Sequence, residues 1–170
     1  LALLGAAISV PHAWRAYGHL KDARAQVDRA ENLLESERAF EASAEQLKKA
    51  AALFDQASRD LRAIAYLQAV PWLSRNLKAV RAGAQAAEIS SNAIATVIEA
   101  GARIVARVDE SRRAQGGAVA PQERAEFLRV LSEVASQLRG AKIELALAQS
   151  ILASTARRGI VRELAHDIAA

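Results

Sequence analysis

The chain has no cysteine. That excludes a disulfide scaffold and a thiolate-bound metal, and it leaves the redox compartment open, because a secreted protein needs no cross-links. Aromatic residues are 4% of the 170 positions although 52% are hydrophobic, so alanine carries much of the apolar content. Such thin side chains suit close helix packing better than a broad globular interior. Breakers are scarce too: between residues 13 and 68 there is no proline, and Gly18 is the one glycine. A strong surplus of one charge is also lacking. The net charge of +4 and a pI near 9.8 allow attraction to an acidic surface without identifying one. The length predicts one domain, or a fragment of one, with a continuous core.

What is present is a seven-residue rhythm. Phe40, Leu47, Phe54 and Leu61 recur at that spacing, with Ser43, Ala50, Ala57 and Ile64 three positions on. Leu20, Val27 and Leu34 repeat it upstream, so the seam shifts by one position around residues 33–40. This predicts a supercoiling first helix over about 13–69. After Pro71, one row runs through Leu73, Val80, Ala87, Ile94, Gly101 and Val108, beside Leu77, Ala84, Ser91, Ile98 and Val105. The second helix therefore spans about 72–115 and ends at the glycine pair of "AQGG". A third helix, about 121–169, opens on Pro121, which suits a first helical position. Its rows are Leu131, Leu138, Leu145 and Leu152, and Phe127, Val134, Ala141 and Ala148. Short corners make successive helices antiparallel. The predicted fold is all-α: an elongated antiparallel three-helix bundle with coiled-coil-like packing. In that register the first helix overhangs before about residue 24, and the proline corner lies at the far end.

Catalytic chemistry is not assembled. Of the three histidines, His12 and His19 are seven apart and can share a helix face, with Asp22 three residues beyond His19, which is weak evidence for a metal and reads instead as ordinary boundary or surface histidines. Glu31, Glu35, Glu37, Glu41 and Glu45 form an acidic stretch without the glycine turn of a calcium loop; it reads as a hydrated face. Ser90 and Ser91 have no nucleophile elbow around them, and "RAGAQAAE" lacks the strand and lysine of a phosphate loop. Arg103, Arg107, Arg112 and Arg113 are interrupted by Asp109 and Glu110 and bring no stacking pair, so nucleic acid is not the expected partner. The expectation is no enzyme, no catalytic residue, no cofactor and no metal.

Two stretches bear on partners instead. "LALLGAAISV", residues 1–10, is apolar throughout but half of the roughly 20 residues that span a bilayer. Residues 1–12 are read as the end of a membrane anchor, the alternatives being a buried helix end or the tail of a cleaved signal peptide. Trp14, Arg15 and Tyr17 follow, with Lys21 and Arg24 beyond, as aromatic and basic residues do at a membrane boundary. In "YLQAVPWLSRNLKAV", residues 66–80, Pro71 makes Val70 a helix stop. Trp72 and Leu73 then either cover the bundle end or, with Arg75 and Lys78, meet a protein partner.

Residues 52–101, with the corner Pro71, Trp72, Leu73, Ser74, Arg75 and Asn76, resemble the helical region of a bacterial membrane-protein family, domain of unknown function 4012. That family often has glycine where Ser74 stands. The resemblance implies an envelope protein, anchored in the cytoplasmic membrane through its amino-terminal end, with the bundle on the extracytoplasmic side. It brings no reaction and no catalytic residue. The leading expectation is a non-enzymatic, membrane-anchored helical spacer or protein-interaction module of the bacterial cell envelope. A ligand-sensing or signal-transmitting helical domain and a soluble coiled-coil oligomer formed by self-association are the alternatives.

Overall fold

A computed structural model describes residues 2–37, 39–65, 71–113 and 121–156. Among them every long element is a helix: α1 (Ala2–Asn32), α2 (Phe40–Ala63), α3 (Pro71–Arg113) and α4 (Pro121–Ala156). The fold is all-α, with four helices where the heptads predict three. The long first helix over 13–69 does not form. The chain reverses inside it, at the place where the apolar seam slips by one position.

Local chemistry explains the reversal. Glu31 and Glu35 set like charges at a four-residue spacing, which weakens a helix. Asn32 Nδ2 donates to the Asp28 carbonyl and the Ser36 hydroxyl donates to the Asn32 carbonyl, both of them bonds that loosen a helical turn. The helix widens to a π turn over Leu33–Glu37. The Ala39 amide then donates to the Leu33 carbonyl at 3.1 Å, and the Ala39 carbonyl accepts from Ser43 N–H at 2.9 Å, opening α2. Within the reversed pair the buried Ser43 hydroxyl donates to the Ala30 carbonyl at 2.8 Å. Pro71 and Pro121 each stand at the first position of a helix, where a missing N–H costs nothing.

The helices pack in chain order, up and down. α2 lies between α1 and α3, and α4 runs along α3. The seams are built mainly from alanine: Ala16, Ala23 and Ala30 on α1, Ala44, Ala50, Ala51 and Ala57 on α2, and Ala79, Ala86, Ala93 and Ala100 on α3 are all buried. Small side chains at consecutive contact positions draw helix axes to the short end of the usual 8–10 Å range. One cluster joins Ala30, Ala44, Leu47 and Ala95 with Val27 and Ile98 packed on it, and a second joins Ala16, Leu61 and Ile64 with Leu77 and Val80. Thus residues 16–23, expected in an overhang, are seated on the bundle. On α4, Val134, Ala141 and Ala148 are buried as the sequence rows require.

Charges fix the registers. Lys48 pairs with Glu99 between α2 and α3. Arg103 meets Glu133 at 3.1 Å between α3 and α4. Arg107 pairs with Glu126 of α4 and with Glu110 of its own helix. Those two carboxylates, Glu110 foremost, push the guanidinium's proton affinity up further. Exposed pairs of this kind contribute about 0–1 kcal/mol each, so they specify alignment more than stability.

Glu88 on α3 is a charge that the fold works against. Burial, then the Asp55 carboxylate on α2, push its pKa up, with Arg59 and Arg62 offsetting part of the shift. A carboxyl raised in the folded state holds its proton there more tightly than in the unfolded chain. Its contribution is fully present below the ordinary glutamate range and is lost as pH rises through the raised value. Chemical denaturation between pH 7 and pH 4.5 is expected to show that arm of added stability at the acid end, and Glu88→Gln is expected to flatten it; an unchanged pH profile in the variant refutes the assignment.

Candidate functional site

The outward side of α1 carries an ordered sequence of side chains. Val10, Trp14, Tyr17, Lys21, Arg24 and Asp28 follow steps of four and three residues, which keeps them on one helix face, and all are exposed. Trp14 is 76% and Tyr17 64% exposed. Their rings lie 6.3 Å apart at 43°, a tilted aromatic pair. Along the stripe the chemistry passes from apolar to aromatic to basic to acidic. Arg15 is exposed on its flank.

The inward side of the same turns is held by one carboxylate. His12 Nδ1 lies 3.0 Å from Asp60 Oδ1, and His19 Nε2 lies 3.5 Å from Asp60 Oδ2. Two turns of α1 are thereby tied to the last turn and a half of α2, with the aromatic stripe facing away. The seven-residue histidine spacing signalled a shared face. Its acidic partner was hidden, because Asp60 comes beside α1 only through the reversal at 33–39. No group of three or more potential metal ligands is assembled among the described residues.

The reversal also relocates the second candidate. The Pro-Trp corner is expected at the opposite end from Trp14; the cluster of Ala16, Leu61, Ile64, Leu77 and Val80 instead brings the middle of α1, the end of α2 and the start of α3 together. Lys78 is exposed there, as are Arg59 and Arg62 of α2. The side chains of Trp72 and Arg75 lie outside the described residues, as do residues 66–70, 114–120 and 157–170. Arg15, Arg62 and Lys78 lie at this end, with Lys21, Asp22 and Arg24 farther along the exposed side of α1. Asp60 faces the two imidazoles and Asp55 faces Arg59.

At the other end of the α1–α2 pair, an open recess is lined by Arg29, Asn32, Leu33, Ser36 and Gln46. It gathers no catalytic set. Gln26 Oε1 on α1 is buried and has no hydrogen-bond partner among the described residues. Among the described residues, no helix is long and apolar enough to cross a membrane.

Comparison of the chain with protein-family models, with curated proteins and with solved structures finds no match. The functional reading therefore rests on the geometry above.

Proposed function

We propose that this protein is a non-enzymatic helical module that seats the α1 end on an acidic membrane surface and extends the bundle away from it as a spacer and interaction platform. The observation that carries the reading is the α1 stripe. Tyrosine and tryptophan favour the level where hydrocarbon meets head group, lysine and arginine just beyond them meet acidic head groups at about 1 kcal/mol each, and acids farther along are kept away from the same charges. Val10, Trp14, Tyr17, Lys21, Arg24 and Asp28 stand in that order. The basic residues of the α2 and α3 ends add to the attraction. On this reading residues 1–12 enter or approach the bilayer, as the resemblance to domain of unknown function 4012 implies for an envelope protein. The α3 rod of 43 residues, about 65 Å at 1.5 Å per residue, sets the reach of the spacer.

Vesicle co-sedimentation tests it. The chain is expected to pellet with vesicles containing phosphatidylglycerol, less with phosphatidylcholine alone, and less again as salt rises. Trp14→Ser with Tyr17→Ser is expected to weaken binding by at least about tenfold, since two aromatic side chains no longer leave water. Absence of binding to either vesicle, or equal binding by the double variant, overturns the proposal.

A further inference from the structure

The face of α4 turned away from α3 is built for another helix. Steps of four and three residues place Ser136, Gly140, Ile143, Leu147, Ser150 and Ser154 on one row, opposite buried Val134, Ala141 and Ala148, and every one of the six is exposed. Ile143 is 70% and Leu147 51% exposed. A lone helix over solvent puts charge on such a row; from Ser136 to Ser154 the row has none, and its charge is confined to the preceding turns, at Arg129 and Glu133. Gly140 has open space where a Cβ would stand, yet a glycine inside an exposed helix weakens it. These residues read as the a and d positions of a second coiled-coil seam: Gly140, Leu147 and Ser154 at a, and Ser136, Ile143 and Ser150 at d.

The flanks identify the occupant. Arg139 falls at the g position and Glu144 at the following e position. In a parallel pair of identical helices, a g residue meets the e residue five places on in its partner. Arg139 of each chain thus meets Glu144 of the other, twice by symmetry. Both are exposed and neither is ion-paired among the described residues, whereas Glu126 and Glu133 on the same helix are taken by Arg107 and Arg103 of α3. An antiparallel pair sets each flank against itself and loses this complementarity. We propose that α4 pairs in parallel with α4 of a second copy of this chain, through Ile143 and Leu147 and the reciprocal Arg139–Glu144 contacts. A twofold axis along α4 turns both α1 ends the same way, so a dimer could meet one membrane with both. The pairing itself does not depend on the membrane reading, and its test contains no lipid.

Sedimentation equilibrium of the full chain is expected to show a concentration-dependent monomer–dimer equilibrium. Ile143→Asp is expected to weaken it by about 100-fold, the loss from one large side chain per protomer. Helix content should be unchanged, because Ile143 is largely exposed on α4. Arg139→Glu should weaken association, and Arg139→Glu combined with Glu144→Arg should restore it. As the chain has no cysteine, Ser150→Cys reports orientation: parallel pairing sets the new thiols opposite one another and gives a disulfide-linked dimer on oxidation. A monomer at all concentrations, a dimer indifferent to Ile143→Asp, no rescue by the charge swap, or a dimer whose Ser150→Cys form does not cross-link each overturns the proposal.

Discussion

Replacing Ile64 with alanine is expected to lower the stability of the folded chain by about 3 kcal/mol, a large share of the roughly 5–15 kcal/mol of a typical domain. Ile64 is 2% exposed and the largest fully buried side chain described. It stands just past α2 and packs with Ala16, Leu61, Leu77 and Val80, so three helices close on it. Truncation removes the transfer free energy of the lost carbons and leaves a hole. The hole persists to the extent that its walls cannot move in, and alanine neighbours such as Ala16 have no side-chain torsion with which to do so. Guanidinium denaturation should show a lower midpoint with an unchanged slope. Ile64→Val, which keeps most of the volume, should lose only about 1 kcal/mol. The same substitution should loosen the seat of α1 and weaken vesicle binding without touching Trp14 or Tyr17. A loss below about 1 kcal/mol for Ile64→Ala would mean that this cluster is not what closes the end of the bundle.

The heptads made the helices legible and their connection illegible. On α2 the rows hold, because Leu47, Leu61 and Ile64 are large enough to mark a face and are buried; on α4 the row through Val134, Ala141 and Ala148 is buried, whereas Leu138 and Leu152 of the leucine row are exposed. On α3 the large aliphatics mislead: Ile94 and Val105 of the predicted rows are exposed, while Ala93, Ala95 and Ala100 are covered. Periodicity in apolar size cannot find a seam whose contact residues are the smallest ones. The one-position slip at residues 33–40 was visible, but a coiled coil can absorb such a slip as a stutter. No proline or glycine marked the reversal; it is made by a π turn and by the side chains of Asn32 and Ser36. Everything about the α1 end followed from that turn. Composition alone draws attention to Trp14, Arg15 and Tyr17, which the fold leaves exposed, whereas the link between His12, His19 and Asp60 needs α2 folded back on α1.

Ala44→Leu is expected to destabilise the chain by about 3 kcal/mol, at the upper end of what overpacking costs, although it adds apolar surface to the core. In a loosely filled interior the added carbons would be welcome. Here Ala44 is completely buried among Ala30, Leu47 and Ala95, and α2 has α1 on one side and α3 on the other. A leucine at that point fits only if a helix axis moves outward. That movement would pull the Ser43 hydroxyl from the Ala30 carbonyl and strip contacts from every alanine along the row, since dispersion falls steeply with a gap of even half an ångström. Leucine and alanine differ little in helix propensity, so the cost isolates packing. Ala52→Leu, on the exposed side of α2, is the matched control and should stay within about 0.5 kcal/mol of the parent. If both substitutions are equally silent in denaturation, the helices are not held at close approach and the alanine seam does not set their spacing. If Ala44→Leu alone is costly, the low aromatic content and the alanine rows have one explanation: the bundle gains stability by bringing backbones near one another rather than by filling a wide core.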